Sequence, residues 1–326
     1  MERSEVAEMI SSKVLSRDFH WFAYHFETFM LGYEHFLAAS IVNCCHNIEP
    51  CMSGFSNEFS DRLASLSDKE KYLPHYEQII QLLAELFVIN HVCMVFPENS
   101  KFIAEPKSKS SNKNPELGIK TGDKEIYVEV KCREFITHHN NRGNARLELP
   151  TRMSGVREIA QGLIQPDESI VYPRDNVVKD FLISANEKFK GFKNENPNSI
   201  TVLVIVWDDF TYEAVSSLLN KATGLITNNS FYRKDNEAVK FEYIDAIILV
   251  KHSHQLVRAT RDELPMDGLS HPLDWGNKQT GLPKAFIPIN SSAGLDEYLC
   301  EIFQAYHIEG LNMFSDFHSQ DIVFRV

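Results

Sequence analysis

Residues 114–134 read NPELGIKTGDKEIYVEVKCRE, and this stretch decides the fold. Two runs with strand character flank Gly122-Asp123, and glycine in the first central position suits a two-residue type II′ hairpin turn. With those two residues as the loop, Thr121 faces Lys124, and the pairing carried outward sets Glu116 opposite Glu129. Period-two alternation then sorts the side chains. Ile126, Val128 and Val130 share an apolar face with Leu117 and Ile119, while Tyr127, Glu129 and Lys131 point the other way beside Glu116. Two carboxylates and an ammonium thus meet on one patch, with Cβ atoms roughly 5–7 Å apart. Like charges directly opposed on a sheet repel. A bound cation, a raised carboxyl pKa or exposure to water would offset that repulsion.

The rest of the chain arranges itself around the hairpin. To about residue 95 the pattern is helical, with Phe22, Phe26, Phe29, Met30, Tyr33 and Phe36 forming one long amphipathic stripe. Such a stripe is read as core. Ser67 to Glu70 has the form of a capping box, and Pro74 breaks the chain before the next helix, which runs through Tyr76, Ile80, Leu83 and Phe87 to near His91. Beyond Pro97, strands are expected at 101–104, 116–120, 125–133, 200–207 and 243–251, with helices at 174–189, 211–221 and 293–306. The segment SKSSNKN at 108–114 reads as a loop, and 264–288, rich in Pro and Gly, as irregular. Helices followed by alternating strands and helices indicate an α/β fold behind a helical region. The division expected is 1–70 helical and 71–326 an α/β domain with an irregular C-terminal extension.

Composition narrows the function. The 326 residues are 43% hydrophobic and 24% charged, ordinary for a globular protein and inconsistent with disorder or a disulfide scaffold. The longest apolar run, 79–96, is interrupted by Gln81, Glu85, Asn90 and His91, so it reads as a buried helix and no membrane association is expected. The N-terminal MERSEVAEMISSK has no apolar signal region; the expectation is a cytoplasmic protein with six reduced cysteines. Net charge is −12, which disfavours non-specific nucleic-acid binding, yet residues 101–160 hold twelve basic against eight acidic side chains, a basic island that can mark a local polyanion site or be a solvated surface with chance clustering.

Paired carboxylates with few other ligands suit a hard ion such as Mg2+ or Mn2+, with the carbonyl of Val130 as a further oxygen donor and the lysine able to contact phosphate or orient water. Pro115-Glu116, a gap of twelve residues and then Glu129-Val130-Lys131 resemble the PD-(D/E)xK motif of the restriction-endonuclease-like nucleases. The resemblance implies that Glu116 and Glu129 are metal ligands and Lys131 the catalytic lysine. It implies too an α-β-β-β-α-β mixed-sheet core with the motif on its second and third strands, and it makes Glu85 of the preceding helix, with Glu77 behind it, the candidate third acid. One departure stands out: the first acid is Glu116 where Asp is usual. The implied activity is Mg2+-dependent phosphodiester hydrolysis, with DNA as the expected nucleic acid. The N-terminal helices are a candidate specificity or dimerisation element, and a homodimer is a candidate assembly. The alternative is a catalytically degenerate member of the fold that serves as a nucleic-acid-binding or scaffold module.

Weaker candidates have plainer readings. Arg133, Arg142, Arg146, Arg152 and Arg157 could grip phosphates or form a solvated basic loop. His252 and His254 share a face at a strand end; His138-His139 reads as a loop dipeptide; Cys44, Cys45 and Cys51 read as helix-face thiols. Asp208 and Asp209 read as caps for the helix at Thr211. No phosphate loop, nucleophile elbow or HExxH helix is present.

Overall fold

The computed structural model describes residues 1–33, 35–67, 72–132, 134, 136, 145–149, 152, 155–165, 167–207, 211–311, 313–314, 317–319 and 323–324. Five helices come first: α1 (Arg3–Leu15), α2 (Ala23–Met30), α3 (Phe36–Ile48), α4 (Phe55–Ser65) and α5 (Leu73–Val95). Then follow β1 (Lys101–Ala104), β2 (Leu117–Thr121), β3 (Lys124–Lys131), β4 (Leu147–Glu148), α6 (Val156–Gly162), β5 (Ile170–Val171), α7 (Asp175–Glu195), β6 (Ile200–Trp207) and α8 (Thr211–Leu219). The last part holds β7 (Arg233–Lys234), β8 (Glu237–Ala238), β9 (Ala246–Lys251), α9 (Ser253–Ala259), β10 (Ala285–Pro288), α10 (Ala293–Ile302), β11 (Tyr306–His307) and β12 (Val323–Phe324).

The main sheet has seven strands in the order β1-β2-β3-β6-β9-β10-β11. The β1–β2, β2–β3 and β9–β10 pairs are antiparallel, and β3–β6, β6–β9 and β10–β11 are parallel. The hairpin has the register read from the sequence: Thr121 faces Lys124, Ile119 faces Ile126 and Leu117 faces Val128. Gly122 takes φ 57° while Asp123 stays out of the left-handed region, the signature of a type II′ turn.

Alternation divides the sheet into two apolar faces. Leu117, Ile119, Ile126, Val128 and Val130 join Val202, Val204 and Val206 under α5. Leu203, Ile205, Trp207, Ile247 and Leu249 face the opposite way, against Val178, Leu182, Ala185 and Phe189 of α7. The sheet is thus sandwiched between helices. Helix α5 is apolar enough by composition to cross a membrane, but about two thirds of its most apolar stretch is buried inside the protein. Pro74 lies in its first turn, where a missing N–H costs nothing.

Two expectations are corrected. The aromatic stripe of 22–36 is not one helix: α2 ends at Met30, Gly32 turns the chain with φ 85°, and α3 restarts at Phe36. Phe22 and Phe26 are buried, whereas Met30 and Tyr33 are exposed. The stretch 264–288 is not merely irregular, since Leu273 and Trp275 enter the core and β10 pairs with β9. The expected capping box at 67–70 falls partly outside the described residues. Core contacts run unbroken from Val6 through α5 and the sheet to Ala305.

Two histidines are stacked inside this core. His91 lies on Trp275 with ring centroids 4.1 Å apart, and His252 lies on Phe87 at 3.8 Å. Their Nε2 atoms meet the carbonyls of Ile302 at 2.9 Å and Pro272 at 2.7 Å. Burial lowers their pKa to about 4 and about 3, respectively. The unfolded rings take up protons near pH 6.5 and the folded ones do not, so their contribution to stability is present above 6.5 and is lost as pH falls. For His91 that loss approaches about 3 kcal/mol by pH 4. Urea unfolding at a series of pH values should show a shallower decline between pH 6.5 and 4 for His91→Gln than for wild type; parallel curves would contradict this account.

Candidate metal-binding catalytic site

Strand β3 outruns β2. Its pairing with β2 ends at Leu117 and Val128, whereas pairing with β6 continues through Glu129, Val130 and Lys131. The sheet forks there, and Glu116 stands at the mouth of the fork, its carbonyl accepting the Glu105 N–H at 3.0 Å. The connection that carries Glu116 runs along α7. Lys113 pairs with Glu187, the Lys109 N–H donates to Glu195 Oε1 at 2.5 Å, and a Cβ at Gly191 would meet Ser108 Oγ at 2.2 Å. Only glycine lets this loop lie so close to the helix.

Glu129 is fully buried, on the α7 face of the sheet. Lys131, two residues on, places Nζ 2.6 Å from Glu129 Oε1. Lys188 of α7 reaches the same carboxylate, 2.7 Å from Oε1 and 2.9 Å from Oε2, and extends to Glu116 Oε1 at 3.4 Å. Desolvation outweighs both lysines and Glu116 adds repulsion, so the Glu129 carboxyl is pushed above its ordinary pKa. Burial lowers the pKa of Lys188, but Glu129 and then Glu116 override it and hold the ammonium above its usual value. Glu85 lies on α5, with Arg62 Nη2 of α4 2.6 Å from its Oε2. Burial raises its pKa, and Glu116 and, more weakly, Glu129 contribute repulsion, so the three acids sense one another.

Glu116, Glu129 and Lys131 therefore converge. Val130 is on the same strand with its side chain in the opposite core, as alternation requires. Glu85 belongs to the same electrostatic group but is engaged by Arg62. Glu77 is buried apart from it, where its carboxylate accepts the Ile136 N–H at 2.8 Å. Lys188 and Arg62 were not singled out from the sequence. The signal for Lys188 was present: it falls at helical spacing within the apolar set Ala185, Phe189 and Phe192, where a lysine needs a buried partner. Three acids and three cations then balance, which answers the like-charge problem of the hairpin with neighbouring cations and a raised carboxyl pKa; exposure is ruled out for Glu129.

A cavity of about 610 Å³ opens further along β2 and β3, toward the hairpin turn, with Lys107, Lys109, Lys120, Glu125, Tyr127 and Glu195 in its wall. Lys120 is paired with Glu125, at 2.5 Å. Other sequence candidates lie elsewhere. Arg152 holds Asp175 at 2.8 Å, and Arg146 lies 3.6 Å from Glu168. Arg133, Arg142, His138, His139, Asp208 and Asp209 fall outside the described residues, as does the side chain of Arg157. His252 and His254 do not form a joint strand-end face, because β9 stops at Lys251. His252 enters the core, and His254 Nε2 meets Asp267 Oδ2 at 3.1 Å from within α9. Cys44 and Cys45 are buried on α3, and burial pushes both thiols up.

No protein-family model matches the chain, and no curated protein or solved structure matches it either.

The contact between Lys188 and Glu129 couples α7 to the sheet. A double-mutant cycle on Lys188→Met and Glu129→Gln should give a coupling energy of about 1–3 kcal/mol in chemical unfolding. Additive effects would show that the pair does not act as a unit.

Proposed function

We propose that the chain is a metal-dependent phosphodiester hydrolase of restriction-endonuclease-like architecture acting on DNA in the cytoplasm. The observation that carries this reading is the buried Glu129 carboxylate at the fork of β2 and β3, with Lys131 on one oxygen and Glu116 across a shared lysine. The order of the elements supports it: apart from the short β4, α6 and β5 that come between β3 and α7, the run α5-β1-β2-β3-α7-β6 is the helix, three strands, helix and strand that the motif resemblance implies.

The donor set fits a hard divalent ion: Glu116 and Glu129, with the Val130 carbonyl and Glu85 as further candidate oxygens. When bound, Mg2+ or Mn2+ supplies Lewis-acid polarisation of a phosphoryl oxygen and a more acidic water. Lys131 is placed to orient the attacking water and to hold it near the phosphate. Lys188 holds Glu116 and Glu129 together against their mutual repulsion. The lysines of the cavity further along β2 and β3 offer phosphate contacts, which position a nucleic-acid backbone without reading its sequence.

A second reading has a specific observation in its favour. Lys131 and Lys188 together already offset Glu116 and Glu129, so a degenerate, ion-free member of the same fold that binds or scaffolds would be stable as it stands. Mn2+ titration separates the two. A hydrolase binds Mn2+ in a manner abolished by Glu129→Gln, and Lys188→Met changes that affinity because the ammonium and the ion compete for the same oxygens. Identical titrations for all three proteins would favour the scaffold.

Supercoiled DNA incubated with the protein and Mg2+ or Mn2+ should be nicked, and Lys131→Ala should lower the rate by about 10²-fold or more. Absence of cleavage by wild type on supercoiled and linear DNA would remove the hydrolase reading for DNA. The double substitution Lys107→Glu/Lys109→Glu should weaken DNA binding at low salt and flatten its salt dependence. An unchanged salt slope would place the nucleic acid elsewhere on the surface.

A further inference from the structure

We propose that His25, His35 and Asp262 bind one divalent transition-metal ion of the zinc class, clipping the N-terminal helices to the turn after α9. One ligand atom from each residue lies within 4.8 Å of the other two. His25 sits on α2, His35 directly precedes α3, and Asp262 follows α9, more than 220 residues along the chain. Asp262 Oδ1 is 2.7 Å from His35 Nε2 and 3.4 Å from His25 Nε2. The two imidazole rings meet edge to face, with centroids 4.4 Å apart.

The independent observation is His25 itself. Its side chain is only 7% exposed; among the described residues Nδ1 has no hydrogen-bond partner, and Nε2 has only the long 3.4 Å approach of Asp262 Oδ1, too poorly aligned to satisfy it. Buried polar atoms are almost always satisfied, and a buried imidazole aimed at a second imidazole and a carboxylate is what a ligand looks like without its ion. Burial and the neighbouring His35 lower its pKa to about 4, so the ring is neutral and its lone pair is free at neutral pH. Tetrahedral zinc with bonds of ~2.0–2.1 Å spaces its donors by about 3.4 Å. The His25–Asp262 separation already matches; the His35–Asp262 contact must open by less than 1 Å. Two imidazoles and one carboxylate select zinc, cobalt or nickel over Mg2+. Asp262 is half exposed, which leaves the fourth position to water.

Binding has a defined cost at His35. In the structure its Nδ1 accepts the Leu37 N–H at 3.2 Å and caps α3, so the ring proton belongs on Nε2, facing Asp262. Coordination through Nε2 moves that proton to Nδ1 and gives up the cap. The ion replaces a helix cap and a histidine–aspartate hydrogen bond with three coordinate bonds that join two distant parts of the chain.

The full-length chain titrated with Zn2+ alone should take up one ion at this site and show a raised Tm. Asp262→Ala, a change at a half-exposed position outside the core, should weaken Zn2+ binding by at least about tenfold and abolish the Tm shift. His25→Gln should do the same where it folds, and the visible absorption of bound Co2+ should be lost in both variants. Glu129→Gln, which removes a ligand only at the fork of the sheet, should leave the visible absorption of Co2+ bound through the two imidazoles in place, and that separates the two sites. Absence of saturable Zn2+ binding, or equal affinity in wild type and Asp262→Ala, would overturn the proposal.

Discussion

A glutamate carboxylate removed from water in the middle of a sheet is the constraint to which the surrounding structure answers. Desolvation of Glu129 would by itself favour the neutral acid, and ionisation there is tolerable only with cations in contact. Lys131 arises from the strand's own period of two. Lys188 must come from α7, so the helix has to cross β3 at this level. Apolar contacts on both sides of that lysine, from Ala185 to Phe192, hold α7 in that position. The loop 105–116 is strapped along the same helix through Lys113, Lys109 and Gly191, which returns Glu116 to the same ammonium. One buried charge thus aligns helix, loop and strand.

A second lysine of α7 shows what a purely structural pair looks like. Lys193 lies 2.7 Å from Asp245 and also donates to the Ser199 carbonyl. Asp245 in turn accepts the Thr201 N–H at 2.8 Å and the Thr201 hydroxyl at 3.1 Å. Its Oδ2 is fixed by a backbone and a hydroxyl donor besides the lysine, and its Oδ1 meets Lys193 Nζ at 2.9 Å. Glu129 is held by two ammonium groups, each at the end of a four-carbon stem. Partners of that kind can withdraw from a carboxylate at the cost of a torsional rearrangement, whereas backbone donors cannot. The difference favours an exchangeable site at Glu129 and a permanent clamp at Asp245.

The parts of the fold legible in the sequence were those set by local rules. Gly122 in the first loop position and strict alternation on either side fixed the register, and with it the meeting of Glu116 and Glu129. The strands at 101–104 and 200–207 matched residue for residue, because each is a short apolar or β-branched run bounded by breakers. Less legible were elements with too few residues to show a period, such as β10 and β11, which exist because a neighbouring strand offers them an edge. The aromatic stripe at 22–36 kept a three- and four-residue spacing through Gly32, so periodicity alone could not reveal the turn. Arg62 and the His25–Asp262 contact depend on chain segments brought together only by tertiary packing, which no local pattern encodes; for Lys188 the local pattern marks a lysine among apolar residues but does not name its partner.

Arg62 also bears on what the N-terminal helices are for. Helices α1 to α4 share one continuous core with α5 and the sheet, and Arg62 of α4 delivers the cation that neutralises Glu85. Glu116 and Glu105 add to the field that raises the Arg62 pKa. Glu85 is partly buried, and Glu116 and, more weakly, Glu129 oppose its ionisation while Arg62 favours it. The helical region therefore supplies the cation that opposes the effect of burial on Glu85. The Glu85 carboxylate is thus already engaged by a cation from α4. Under the proposed reading, Glu116 and Glu129 would meet an ion before Glu85, because Arg62 already occupies the Glu85 carboxylate and the seat of α4 against α5 holds it there.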